Sequence, residues 1–318
     1  MVPGNRGRAL VVLPALAYPP HVDRGIAIRL TLCLVVSAAA TACASRDDDE
    51  MTFHQEVAWS PDGSRIAFSA LRVSRSRWLE EKHNALTDAR YDIFVMQADG
   101  SRSKRLTQNP ADDLWLSWSP DGSRIVFGSR REGNADLYVM SASGGPVTRL
   151  TSDPMDESGP SWSPDGSRIA FMVKQGERWQ IFVMDVDGSN RRRLTESSGN
   201  DWNPAWSPDG SRIVFYSDRE GPGKDAVYVM NADGSNPVRV TSGVFPAWSP
   251  DGTKILFGTE QVVCSIRPDG SGRTPLIEKG DFARWSHDGK LAYIAGEFPD
   301  TRIYVAGADG SDPVPLTH

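Results

Sequence analysis

W-S-P-D-G-S-R-I-A-F, at residues 59–68, is the stretch that decides the fold, because the chain repeats it. Six copies of the motif occur, and they begin at Trp59, Trp118, Trp162, Trp206, Trp248 and Trp285. Repeats of about 40–45 residues are typical of arrays in which each unit covers its neighbours. The sequence therefore predicts six equivalent structural units.

Each unit contains signals for four strands. The Trp lies on the first strand, and S-P-D-G predicts a tight turn because Pro sets φ while Gly takes a positive φ. The R-I-A-F segment predicts the second strand and segments such as I-F-V-M at residues 93–96 predict the third. An Asp-Gly-Ser turn then leads to a short outer strand, such as R-L-T at residues 105–107.

The second and third strands are apolar without alternation, which indicates that both faces of each sheet are covered. Radial stacking of four-stranded sheets covers both faces. We therefore predict an all-β, six-bladed β-propeller of four-stranded antiparallel blades over residues 51–318. The ring closes either with a strand from residues 52–57 that blade 1 borrows, or by simple packing of the two ends.

The first 42 residues have the pattern of an export signal, and we do not expect them to be part of the fold. Arg24 and Arg29 precede a short apolar run and small residues, the pattern of a signal peptide. The run ends A-T-A-C at Cys43, which resembles the lipobox of bacterial lipoproteins and makes Cys43 the expected lipidation site. Ordinary cleavage is the alternative. Residues 1–42 are thus an upstream extension plus signal peptide, and residues 43–50 an acidic tether.

The repeats resemble those of the TolB family and of related WD40-like (PD40) propellers. The resemblance implies a protein-binding or scaffold role in the bacterial envelope, with a protein partner and a periplasmic or cell-surface location. TolB proteins carry a further N-terminal α/β domain, and only residues 44–50 separate Cys43 from the first repeat here. We therefore do not transfer the Tol-system role to this chain.

The two faces of the predicted propeller differ in their connections. The W-S-P-D-G and Asp-Gly-Ser turns share one face, the turn face. Connections between the second and third strands, and between blades, share the other, the loop face. Because loops on a rigid scaffold commonly bind ligands, we expect binding at the loop face.

Acidic residues stand in register at the loop face. Asp113, Glu157 and Asp201, the mouth acids, each lie five residues before a repeat Trp, and His54 holds this place in the first unit. Carboxylates clustered at a channel mouth bind a hard cation such as Ca²⁺ or a basic partner. The alternative is local pairing with an arginine, such as Arg131 or Arg219.

Two tryptophans in variable loops are further candidates for partner contact. Trp78 and His83 lie in an insertion in the first repeat, residues 72–90, and Trp202 lies beside the third mouth acid. Buried aromatic residues dominate binding energy at interfaces. The alternative for the insertion is a lid that packs on its own blade.

Catalysis has no clear signature in the sequence. No nucleophile–base pairing is evident, and the formal net charge of −6 argues against a nucleic-acid partner. We expect a monomeric, non-catalytic binding propeller that meets the membrane only through its lipid anchor. The alternatives are a hydrolase or lyase acting on an envelope polysaccharide or peptide, and a propeller that binds a small ligand or oligosaccharide without turnover.

Overall fold

The W-S-P-D-G segments form the turns that their sequence predicts. The computed structural model describes residues 50–74, 90–260, 262–296 and 301–317. In the first turn the Gly63 amide donates to the Ser60 carbonyl at 2.9 Å, and Gly63 has a φ of 69°. The Ser60 hydroxyl donates to Asp62 at 2.6 Å and accepts from the Arg65 amide at 2.9 Å. Hydrogen bonds from Ser60 and Ser64 lower the pKa of Asp62 to about 2, so the turn keeps its carboxylate ionised.

Twenty-four strands follow in chain order within the described residues. Blade 1 has β1 (Glu50–Trp59), β2 (Arg65–Ser74), β3 (Asp92–Gln97) and β4 (Lys104–Arg105); blade 2 has β5 (Asp113–Trp118), β6 (Arg124–Glu132), β7 (Asn134–Ser141) and β8 (Val147–Arg149). Blade 3 has β9 (Glu157–Trp162), β10 (Arg168–Gln175), β11 (Arg178–Asp185) and β12 (Arg192–Arg193); blade 4 has β13 (Asp201–Trp206), β14 (Arg212–Ser217), β15 (Ala226–Asn231) and β16 (Val238–Ser242). Blade 5 has β17 (Val244–Trp248), β18 (Ile255–Thr259), β19 (Val262–Ile266) and β20 (Thr274–Glu278); blade 6 has β21 (Gly280–Trp285), β22 (Leu291–Ala295), β23 (Arg302–Ala306) and β24 (Val314–Pro315).

Every blade is an antiparallel sheet whose four strands are consecutive in the chain. The repeat Trp ends the first, innermost strand of each blade, and the outermost strand is short. These blades form an all-β six-bladed propeller, which confirms the predicted fold class. Within the described residues no helix is long and apolar enough to cross a membrane.

Apolar clusters join neighbouring blades, as the unbroken apolar runs predict. Phe127 of blade 2 packs with Ile93 of blade 1, and Phe215 of blade 4 packs with Ile181 of blade 3. At the seam between the last and first blades, Ile303 packs with Trp59. Both faces of each sheet are thus covered, which explains why the second and third strands need not alternate.

Cation–π contacts link consecutive blades at the turn face. The arginine that follows each turn stacks on the repeat Trp of the next blade, with the guanidinium carbon 4.7–4.9 Å from the ring centroid. The pairs are Arg65–Trp118, Arg124–Trp162, Arg168–Trp206 and Arg212–Trp248. Lys254 and Lys290 follow the turns of the last two blades, so this arginine contact ends at blade 5.

The ring closes by packing of its ends. Blade 6 is completed by its own β24, and β1 is the innermost strand of blade 1 over its whole length. The His54 amide donates to Thr301 Oγ1 at 3.0 Å, and His54 Nδ1 lies 2.9 Å from the Thr301 carbonyl oxygen. Residues 52–57 belong to β1, which pairs with β2 of blade 1, and blades 6 and 1 meet by packing.

Candidate functional site

The mouth acids lie where the sequence places them, each at the first residue of an innermost strand, but they face arginines and not open solvent. Asp113 and Asp201 are fully buried and pair with Arg131 and Arg219 at 2.8 and 2.7 Å. Glu157 is also fully buried and pairs with Arg191. Burial raises the pKa of Glu157, although the Arg191 charge opposes this shift. The local pairing with Arg131 and Arg219 that the sequence offered as an alternative is confirmed.

The paired arginines also cover aromatic rings. The Arg131 guanidinium lies over Phe127 and Tyr138, and that of Arg219 lies over Phe215 and Tyr228 at 5.2 and 4.5 Å. Each of these two acids therefore pairs with an arginine of its own blade. Across the part of the chain that the structure describes, no three or more His, Cys, Asp or Glu side chains converge to hold a metal, so the structure does not bring Asp113, Glu157 and Asp201 together as a Ca²⁺ site.

His54 occupies the mouth-acid position of blade 1 and belongs to the ring seam. It is buried, its ring lies 5.6 Å from that of Phe68, and it bonds Thr301 as described above. Burial is the main cause that lowers the pKa of His54 to about 4, so the ring is neutral at pH 7. His54 therefore contributes to the packing of the seam, and it exposes little surface to a partner.

Trp202 is buried as well. Its ring stacks on Tyr216 with centroids 5.1 Å apart and packs with Met172. A ring that is 7% exposed offers almost no surface, so Trp202 is not retained as a partner contact. The predictions for Cys43, Trp78 and His83 lie outside the described residues.

A feature that sequence reasoning missed lies on the axis. In blades 2 to 6 the innermost strand carries an irregularity at the residue three positions before its Trp, and that residue has a positive φ; in blade 1 the irregularity lies one residue earlier, at Gln55. This conformation is costly for residues other than glycine. The six residues at this position are Glu56, Trp115, Gly159, Asn203, Phe245 and Phe282.

Three of these side chains form an aromatic plug: Trp115, Phe245 and Phe282. The rings of Phe245 and Phe282 lie 4.4 Å apart, and those of Trp115 and Phe282 lie 6.2 Å apart. Trp115 belongs to blade 2 and Phe282 to blade 6, and blade 1 lies between these blades in the ring. Their contact therefore crosses the central channel and narrows it just inside the loop face.

Two polar groups share this level of the channel with the aromatic plug. Glu56 is buried, and its Oε1 accepts from the Leu116 amide at 3.1 Å and the Ser69 hydroxyl at 3.2 Å. Burial raises the pKa of Glu56 to about 7. The buried Asn203 side-chain oxygen has no hydrogen-bond partner among the described residues. The six residues share one sequence feature, their position three residues before the repeat Trp. That position could not be recognised as channel-lining without knowledge of the bulge.

Half-exposed ion pairs lie on the loop face of blades 2, 3 and 4. Arg130 pairs with Asp156 at 2.9 Å through two hydrogen bonds, and Arg149 pairs with Glu132 at 2.6 Å. The pair between Arg239 and Glu220, at 3.1 Å, lies at blade 4. We call these three pairs the charged rim. The loop face thus presents these ion pairs, and the aromatic plug lies just inside the channel.

Comparisons with known proteins agree with the geometry. The PD40 family, described as a TolB beta propeller domain, matches residues 57–158 and 152–267. A TolB homolog of Chlorobium luteolum is 35% identical over 104 residues; the match covers 24% of this chain and 24% of that protein, so the chain spans about a quarter of the length of this curated relative.

Solved structures share the fold at low identity. TolB from Acinetobacter baumannii superposes with a TM-score of 0.64 and 18% identity, over 84% of this chain and 80% of that one. TolB from Agrobacterium tumefaciens gives 0.52 and 22%, over 84% and 81%. An oligogalacturonate lyase in complex with manganese gives 0.57 and 14%, over 84% and 78%. With two PD40 matches that together span most of its propeller, this chain belongs to the TolB beta propeller (PD40) family.

Proposed function

We propose that this chain is an exported, non-catalytic propeller of the bacterial envelope that binds a protein partner at its loop face. Cys43 is the proposed lipid anchor, and the periplasm or the cell surface is the proposed location. The TolB-like propeller supports a protein-binding role in general. The partner and the face that binds it are our inference from this chain.

The observation that carries the proposal is the combination of the aromatic plug in the channel with the charged rim on the loop face. The aromatic plug narrows the channel just inside the mouth, so a partner there meets apolar rings. The residues of the charged rim are exposed enough to form ion pairs with a partner in place of those with each other: Glu132 and Glu220 are 54% and 43% exposed. A central apolar patch with a polar rim is the usual anatomy of a protein interface.

The mouth acids support this surface without forming it. Because they are buried against arginines, substitutions of Asp113, Glu157 or Asp201 would change stability together with binding. The test therefore uses rim residues. Nothing in the described residues specifically favours the lyase or hydrolase alternative.

A cross-linked pull-down from intact envelopes tests the proposal. The baits are the full-length protein, the loop-face variants Glu132→Lys and Glu220→Lys, and the turn-face variant Arg267→Glu as a matched charge reversal. We expect one protein to be recovered by the parent and by Arg267→Glu, and to be lost with the two loop-face variants at equal melting temperature. Equal recovery by all four baits, or selective loss with Arg267→Glu, would contradict the proposed face.

A further inference from the structure

The chain enters the propeller from the loop face. β1 begins at Glu50 and ends at Trp59, which leads into the first W-S-P-D-G turn, so Glu50 marks the loop-face end of the strand. In blades 2 to 4 the innermost strand has 6 residues and begins at a mouth acid. In blade 1 it has 10 residues and begins before His54, the residue at the equivalent place. Glu50 therefore lies beyond the mouth, on the side of the loop face.

The acidic tether that joins this end of β1 to the proposed lipidation site is short. Residues 44–50 follow Cys43, and a fully extended segment of this length spans at most about 25 Å. β1 has 10 residues, which corresponds to about 30 Å between Glu50 and Trp59. The depth of the propeller, from loop face to turn face, thus exceeds the reach of the tether.

This reach excludes one orientation of an anchored propeller. If the turn face lay on the membrane, the tether would have to pass through the channel or around a blade. The channel is narrowed by the aromatic plug, in which the rings of Trp115 and Phe282 lie 6.2 Å apart. The path around a blade crosses its three outer strands and then follows the depth of the sheet, which requires about 45 Å in all. The tether cannot span that distance.

The loop face also presents exposed carboxylates. The side chains of Glu132, Glu196 and Glu220 are 54%, 86% and 43% exposed, and the arginine paired with each acid is less exposed than the acid itself. An anionic lipid surface repels such groups, whereas the basic side chains of a protein attract them. The loop face is therefore better suited to a protein beside the membrane than to direct adhesion to lipid.

We propose, on the basis of the Cys43 anchor and the loop-face site proposed above, that the partner is a protein held in the same membrane as this chain and that it presents basic side chains to the loop face. The tether keeps Glu50 within about 25 Å of the lipid surface, so the loop face is held next to the membrane. Two proteins anchored in one membrane meet at a raised effective concentration, so an interface built on a few ion pairs suffices.

Energy transfer to labelled lipid headgroups tests the orientation. The full-length protein is purified from membranes after processing, reconstituted in liposomes and labelled at one cysteine introduced in blade 4. Lys224→Cys places the label at the loop face and Ser235→Cys places it in the Asp-Gly-Ser turn; both positions are exposed, and the native Cys264 is buried. We expect greater transfer from Lys224→Cys. Insertion of about 20 Gly and Ser residues between residues 49 and 50 raises the reach to about 90 Å and should abolish the difference.

Cross-linking in intact envelopes tests the partner. A cross-linker attached to the Lys224→Cys variant should recover one protein that stays in the membrane through an alkaline wash and then enters the detergent phase. Because salt screens exposed ion pairs, raising it to about 1 M before cross-linking should reduce this recovery. The Ser235→Cys variant is the matched control and should not recover the protein.

The failures differ in what they contradict. A mature N-terminus that carries no lipid, as measured by mass spectrometry, would remove the Cys43 anchor and the orientation together. Equal or greater transfer from Ser235→Cys in a lipidated protein would refute the orientation and leave the anchor intact. A loop-face partner that enters the aqueous phase would overturn the shared membrane, although the loop-face site would stand. Recovery that does not change with salt would contradict a basic partner.

Discussion

Trp115 and Phe282 meet across the axis of the propeller, with both backbones in the left-handed region at φ values of 58° and 53°. A left-handed residue at the bulge turns its side chain inward, where the strand would otherwise direct it between blades. The protein therefore holds two large side chains in a costly backbone conformation, and their contact narrows the channel.

Comparing Trp115→Gly with Trp115→Ala separates backbone from side chain. Both variants remove the indole, but only Gly adopts a positive φ freely, and Gly159 occupies the equivalent place in blade 3. We expect Trp115→Gly to be more stable than Trp115→Ala by about 1 kcal/mol in urea unfolding. An Ala variant as stable as the Gly variant would contradict the left-handed conformation.

Asp201→Asn should be strongly destabilising, because it leaves the Arg219 guanidinium without its counter-charge beside two aromatic rings. We expect a loss of about 2–3 kcal/mol, below the usual range for a buried pair because Arg219 is partly exposed. The control is Asp153→Asn, whose carboxylate is 46% exposed and should cost less than about 1 kcal/mol. Denaturant unfolding measures both, and similar losses would argue against the buried pair.

Lys254→Arg should stabilise the junction between blades 5 and 6. It restores the residue that stacks on the next Trp at the four earlier junctions, with Trp285 as the new partner. A cation–π contact at a partly exposed site is worth about 0.5–1 kcal/mol. The converse substitution, Arg168→Lys, should lose a similar amount. A double-mutant cycle with Trp285→Leu checks that the gain depends on the ring; a gain that persists without the indole would have another cause.

Glu56→Gln should change how stability depends on pH. Burial raises the Glu56 pKa from 4.5 to about 7, so between these values the folded state binds more protons than the unfolded state. The contribution of Glu56 to the free energy of unfolding is therefore fully present below pH 4.5 and is lost as the pH rises to 7. The difference in unfolding free energy between parent and variant should fall by about 2–3 kcal/mol over this window. A difference that does not vary with pH would show that Glu56 titrates normally.

His54 contributes with the opposite sign. Its pKa is lowered from 6.5 to about 4, so the unfolded state binds more protons and stability falls as pH drops below 6.5. His54→Gln should remove this loss on the acid side, and unfolding curves of the variant from pH 4 to 7 measure it. Glu56 and His54 therefore contribute opposite slopes to the pH dependence of the unfolding free energy.

The sequence predicted the blades and misplaced part of the site, for physical reasons. Turn chemistry and unbroken apolar runs are local signals, and they predicted each W-S-P-D-G turn and the covered sheets. Arg131 and Arg219 lie near their acids in the repeat, so their pairing was foreseeable. Arg191 directly precedes β12, the outermost strand of the blade, whereas Glu157 begins the innermost strand. No local pattern predicts a contact between them.

The side chains on the propeller axis were the hardest to predict from the sequence. A bulge shifts side chains from one direction to another without changing the residues, so Trp115 resembled a strand residue and Trp202 resembled a loop residue. In the structure Trp115 lines the channel, and Trp202 is packed between blades 3 and 4.

The consecutive order of strands within each blade has a consequence for the history of the molecule. In this protein the unit that is copied along the chain and the unit that folds into a blade begin and end together. Duplication or loss of one copy would add or remove a whole blade, and no strand would need a new partner from elsewhere. Only the junctions would have to adapt to a new angle around the axis, so the number of blades is open to change by recombination alone.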